Sequence, residues 1–216
     1  MKAGSGKSPR RGGRPSSKVA AEIRDEILEA ATRLFFEHGY GAVSIEAIAS
    51  AAHMSKRTFY HRFKDKADVF RAVVKNVIGK LRPPDVKGLF EGANGAEILY
   101  RLAPIILHAS LAPEAVALHR IVLAEAGRFP ELALMMNAEG SRNEAVQRIA
   151  ALLEHEAKAG RMKVRNPPFA AAQFLQMVVA VPQRRALGLG EPITAAEMNT
   201  WARETVDLFL QGVEPR

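Results

Sequence analysis

Ser44-Ile45-Glu46-Ala47-Ile48-Ala49-Ser50-Ala51-Ala52-His53-Met54-Ser55-Lys56-Arg57-Thr58-Phe59-Tyr60-His61-Arg62-Phe63 reads as two short helices separated by a tight turn. Ser44 and Ser55 each stand just before an apolar period, where a hydroxyl accepts from the free amides of a first helical turn. Ile45, Ile48, Ala49 and Ala52 form the inner face of one helix. Phe59 and Phe63 form that of the next, expected to run from Ser55 to Phe63, and leave Lys56, Arg57, Thr58, His61 and Arg62 outward. Two short capped helices joined through Ala52-His53-Met54, the second of them basic, make a helix-turn-helix.

The flanking sequence completes a small helical domain. Upstream, Ile23, Ile27, Ala30, Ala31, Leu34 and Phe35 recur at helical spacing until Gly39, which suits a helix C-cap. Downstream, Asp65-Lys66 opens a helix carrying Val69, Phe70, Val73, Val77 and Leu81, and Pro83-Pro84 ends it. Five further helices are expected, over 93–110, 113–127, 130–159, 167–187 and 195–211, with no strand-like alternation between them. Pro113-Glu114 and Pro130-Glu131 place a missing donor and a negative charge in first turns, where both are favoured. Pro104 and Pro182 fall inside predicted helices, where each bends the helix and frees a carbonyl. The expected fold is all-α: a three-helix helix-turn-helix domain at 19–66, then a larger helical domain at 67–216, with a flexible basic arm at 1–18 ahead of both.

Charge separates the two parts. The chain has 216 residues and a net charge of +8, of which residues 1–75 carry +7 and residues 76–216 only +1. An excess confined to one domain is the footprint of a phosphate-binding module, since counterion release supplies most non-specific affinity for nucleic acid. The arm holds Arg10, Arg11 and Arg14 with Gly12, Gly13 and Pro15, a composition able to lay arginine in a minor groove. Cysteine is absent, which removes disulfides, thiolate metal sites and cysteine nucleophiles and suits a reducing compartment; cytoplasmic residence is the expectation. The longest apolar stretch, Phe169 to Val181, is interrupted by Gln173 and Gln176 and falls short of a membrane span, and no secretory signal is expected. His108, His119 and His155 lack metal-ligand spacing, and no catalytic triad, phosphate loop or carboxylate pair stands out, so neither metal, cofactor nor enzyme activity is expected.

From Glu26-Ile27-Leu28-Glu29-Ala30-Ala31-Thr32-Arg33-Leu34-Phe35 to residue 75, the chain resembles the tetracycline-repressor (TetR) family of bacterial regulators. The family pattern stands here as Gly39-Tyr40, Ser44, Ile48-Ala49, Ser55, Thr58, Phe59-Tyr60, Phe63 and Lys66, all in register. His119 to Glu131 also resembles the AefR-like C-terminal regulatory domain of part of that family. The chain departs from the commonest family pattern at Val43, usually threonine, at His53, usually a turn glycine, and at Arg57, often glycine. His53 must therefore adopt the left-handed conformation, in which histidine is enriched, and Arg57 places a long donor where relatives often have none.

The resemblance implies a homodimeric regulator on a palindromic operator, its recognition helices one turn of DNA apart. Lys56, Arg57 and Thr58 are the expected base contacts, while Ser44, Ser55, Tyr60, His61 and Lys66 are expected nearer the backbone. A small apolar or amphipathic effector is expected in the second domain, with Ile106, Arg120, Met136 and Met177 as candidate lining. Its binding would move the fourth helix, which bridges both domains, and release the operator. Phe174, Leu175, Val178 and Val179, with Met198, Trp201, Thr205, Leu208 and Phe209, exceed one buried stripe per helix. By resemblance Leu175, Val178, Val179, Trp201, Thr205, Leu208 and Phe209 form the dimer interface. The alternative is a DNA-bound scaffold governed by a protein partner instead of a small molecule.

Overall fold

The structure, a computed structural model, describes residues 17–92, 94–139 and 141–213; Arg10, Arg11 and Arg14 lie outside the described residues. The described residues fold into ten α-helices and one 3-10 turn, Gly88–Phe90, as an all-α protein.

The first four helices follow their caps. Helix α1, Ser17–Ala42, breaks at Gly39, whose φ of 78° puts it in the left-handed region open to glycine. Helix α2, Ile45–Ala51, starts where Ser44 Oγ accepts from Ala47 N at 3.1 Å. His53 takes φ 54°, as the missing turn glycine requires. Helix α3 spans only Lys56–Tyr60, capped by Ser55 Oγ accepting from Thr58 N at 3.1 Å. The coil still reaches its expected end, because Phe63 N donates to Phe59 O at 2.9 Å. Helix α4, Lys66–Leu81, is capped by Asp65, and Arg82 turns extended just before the two prolines.

The remaining helices are α5 (Gly95–Leu111), α6 (Pro113–Glu125), α7 (Glu131–Glu139), α8 (Ser141–Lys158), α9 (Pro167–Ala186) and α10 (Ala195–Val213). The helix expected over 130–159 is described as two stretches, α7 and α8, on either side of residue 140, which lies outside the described residues. No single helix among the described residues is long and apolar enough to cross a membrane.

Two hydrophobic cores hold these elements. The first begins with Ile27, Phe35, Ile48, Phe59 and Phe70 on α1 to α4 and continues into Leu118, Ile121 and Val122 of α6 and Leu132 and Met135 of α7. Its centre is aromatic: the Phe70 ring lies 5.3 Å from Phe35 and 5.1 Å from Tyr40, and Phe129 meets Tyr40 edge-on at 5.0 Å. The second core joins α5, α8, α9 and α10 through residues such as Leu99, Leu153, Phe174, Val178 and Val206.

This second core overturns most of the expected dimer face. Leu175, Val178, Val179, Thr205 and Phe209 are buried within their own chain, because α5 and α8 pack on α9 and α5 and α9 pack on α10. Most of the excess apolar surface of the last two helices is consumed inside the subunit. Trp201 is half-buried, and its Nε1 donates to Val178 O at 2.9 Å. That carbonyl lies one helical turn before Pro182, which has no N–H to offer it, so the indole satisfies the group that the proline frees. Of the expected interface residues only Leu208 is exposed; Phe169 and Val181 on α9, which were not expected there, are exposed too.

Candidate nucleic-acid interface and inner cavity

Helical geometry sorts the side chains of α3. Successive residues are rotated by about 100°, so with Phe59 buried in the core, Arg57 and His61 point most directly away from it. Both are exposed, as are Lys56 and the Tyr60 ring. Among the described residues the Arg57 side chain makes no ion pair or hydrogen bond, leaving its guanidinium donors for an external acceptor. The Lys56 ammonium instead meets Glu46 Oε1 at 2.6 Å, and this hydrogen bond holds the Glu46 carboxyl below the usual carboxylate range. Both partners are more than half exposed, so solvent screens the pair and a phosphate or base can displace it.

Two hydroxyls are committed to the cap. Ser55 Oγ and Thr58 Oγ1 lie 2.9 Å apart while the Ser55 oxygen accepts from Thr58 N, which leaves the half-buried Thr58 side chain to offer chiefly its methyl group. Ser44 is likewise engaged: its oxygen accepts from Ala47 N, and its hydroxyl also interacts with the Glu46 carboxylate.

Lys66 departs most from expectation. Its ammonium turns inward and donates to Tyr40 O at 2.9 Å and Val43 O at 3.0 Å, with Gly41 O at 3.5 Å. It also sits 4.4 Å from the Tyr40 ring centroid and 5.7 Å from that of Phe129. With its donors spent on carbonyls at the α1–α2 corner, it fastens that corner instead of reaching outward to a phosphate. Burial pushes its pKa down, against the opposing pull of Glu125. Burial, followed by the charges of Glu131 and Asp65, raises the Tyr40 hydroxyl to about 12, so the ring stays neutral beside the cation.

The same corner is gripped from the other domain. Glu125, at the end of α6, accepts from Gly41 N at 2.8 Å across 84 positions of sequence, and its carboxylate approaches so closely that a Cβ at Gly41 would lie 3.0 Å from Oε1 and push it aside. Neither Glu125 nor Phe129 was singled out from sequence, although both fall within the segment 119–131 that carries the second resemblance.

Beneath this junction lies a cavity of about 420 Å³, within the size range of small-molecule sites. Its wall includes Ile78 and Leu81 from α4, Leu102, Ile105 and Ile106 from α5, Leu118, His119 and Val122 from α6, Met136 from α7, Ile149 from α8 and Leu175, Val179 and Gln183 from α9. Of the four candidate lining residues, Ile106 and Met136 are on this wall. Arg120 is not: His119 faces the cavity, and one residue of helical rotation carries Arg120 to the exposed side. Met177 also lies off the wall, half-buried against the second core. The residues that follow Pro104 and Pro182, Ile105 and Gln183, border the cavity. Burial lowers the pKa of His119, so its imidazole is neutral near pH 7. Arg82, Arg142 and Arg148 reach the cavity too and were not anticipated. No group of three or more potential metal ligands occurs among the described residues.

Comparison with known proteins matches both parts. Residues 27–73 fit the model of the bacterial regulatory proteins of the tetR family, and residues 97–212 fit the C-terminal domain of AefR-like transcriptional repressors. The flavonoid-responsive regulator FrrA superposes with a TM-score of 0.75 at 32% identity, over 91% of this chain and 99% of that one. A TetR transcriptional regulator from Agrobacterium tumefaciens shares the fold, with a TM-score of 0.73 at 24% identity over 90% of this chain and 96% of its own. The HTH-type transcriptional regulator HbdR of Aromatoleum sp. (strain CIB) is 37% identical over 75 residues, so the chain matches about a third of that curated relative's length, 33% of each.

Proposed function

Because this chain belongs to the tetR family of bacterial regulatory proteins and carries an AefR-like repressor domain, we propose that it is a homodimeric operator-binding repressor released by a small apolar or amphipathic effector. The observation that carries this reading is the sharing of α4 and α6 between two places. Phe70 of α4 and Ile121 of α6 pack in the core that supports α3, whereas Leu81 and His119 of the same helices line the cavity. A molecule that changes the packing of the cavity wall would shift both helices and, with them, the angle of the helix-turn-helix. Release then follows as a population shift: the effector favours a form whose paired heads no longer match half-sites about 34–36 Å apart. The relative FrrA is by its name flavonoid-responsive, which supports a small molecule over a protein partner as the signal here.

In this proposal residues 19–66 bind DNA and residues 67–216 bind the effector and dimerise. Arg57 contacts a base edge, with Lys56 and the Thr58 methyl beside it, while Ser44, Ser55, Tyr60 and His61 set the register. Arg10, Arg11 and Arg14 of the arm add minor-groove contacts. The dimer face lies on the outer sides of α9 and α10, around Phe169, Val181 and Leu208.

Fluorescence anisotropy with labelled DNA from the region upstream of the protein's own gene tests the reading. Specific binding should exceed binding to random duplex by at least a thousandfold, and equal affinities would reject it. Arg57→Ala should reduce operator affinity by about 10- to 100-fold, corresponding to about 1–3 kcal/mol for one bidentate base contact, with little change on random DNA. Equal losses on both duplexes would assign Arg57 to the phosphates instead.

A further inference from the structure

We infer that the cavity takes an amphipathic anion, an apolar body bearing one acidic head such as a carboxylate, sulfonate or phenolate; the inference rests on the effector reading above and narrows its chemistry. The inner wall, with Leu102, Ile106, Leu118, Val122, Ile149 and Leu175, offers no charge and suits an apolar body. The charged groups on the wall are three arginines, Arg82, Arg142 and Arg148, and a single carboxylate, Glu144.

That carboxylate is oversubscribed. Arg82 Nη2 lies 2.5 Å from Glu144 Oε1, and Arg148 Nη2 lies 3.0 Å from the same oxygen. Arg142 donates instead to the neutral amide oxygen of Gln176 at 3.1 Å, and among the described residues it meets no carboxylate. One negative charge thus faces three positive ones at the edge of a low-dielectric chamber, which focuses a positive potential into it. All three guanidiniums are also solvent-exposed, so they stand at the mouth, where an acidic head can be held by paired N–H donors without being fully desolvated. A cationic ligand would be repelled there, and a neutral one would gain nothing from the excess charge.

Two fluorescent probes of nearly the same shape make the test: 1-anilinonaphthalene-8-sulfonate, and its neutral counterpart N-phenyl-1-naphthylamine, titrated into the full-length protein. The sulfonate should bind at least tenfold more tightly at low salt, and its advantage should shrink as ionic strength rises. Arg142→Met and Arg148→Met alter exposed side chains and should each cost the sulfonate several-fold while leaving the neutral probe unchanged. Ala109 of α5 also lines the chamber, and Ala109→Trp, which fills it, should abolish both. Equal affinity of the two probes, or a sulfonate preference that survives both arginine changes and high salt, would overturn the anion inference while the cavity reading stands. Probe binding that ignores Ala109→Trp, or no binding of either probe, would overturn the cavity reading itself and the inference with it. Should the tryptophan variant fail to fold, the salt dependence and the arginine variants still decide the anion question.

Discussion

Phe70→Ala is expected to lower the free energy of unfolding by about 3–5 kcal/mol, the range for deleting a fully buried phenyl ring. Phe70 is inaccessible to solvent, and its ring contacts Phe35 of α1 and Tyr40 at the α1–α2 corner. The cost combines lost transfer energy with a void that the two rigid rings beside it cannot collapse to fill. For a chain of this length the loss corresponds to a fall in Tm of roughly 6–20 °C. The variant should also weaken operator binding, since the ring couples α4 to the helices that carry α3. Differential scanning calorimetry checks the first effect, and a loss below about 1 kcal/mol would mean that the aromatic cluster is not the shared core of α1 and α4.

Lys66→Met is expected to destabilise the protein by about 1–3 kcal/mol, the cost of stranding buried carbonyl acceptors, and to lower operator affinity without changing the salt dependence of binding. Methionine keeps the stem packed near Tyr40 and Phe129 but leaves Tyr40 O and Val43 O without their donor. Operator affinity then falls because the α1–α2 corner loosens and α3 loses its orientation. A lysine that neutralised a phosphate would behave differently: its loss would lower the slope of log K against log salt by about one unit. Measuring affinity over a salt series beside a thermal melt separates the two roles. A reduced slope with an unchanged melt would return Lys66 to the DNA surface.

Much of the first domain was legible in the chain because its determinants are local. A hydroxyl or carboxylate caps an amide three positions on, as Ser44, Ser55 and Asp65 do. Likewise, Gly39 and His53 declare left-handed backbone by residue type and position, and both adopt it. The outward face of α3 follows from periodicity once Phe59 is known to be buried. The inward turn of Lys66 was not legible for a complementary reason: a lysine at a helix start looks solvent-directed until the carbonyls of residues 40 to 43 are brought beneath it.

The amino-acid sequence alone determined that this protein is all-helical, where most of its helices begin and end, and which short basic helix is presented outward, since propensity, capping and apolar period act over one or two turns. Only the tertiary structure decided which apolar faces are spent inside the subunit, that Glu125 grips Gly41, and that arginines from two separate segments gather around Glu144 at one cavity. Those outcomes join residues tens of positions apart, and a side chain's type does not say which distant partner will remove it from water.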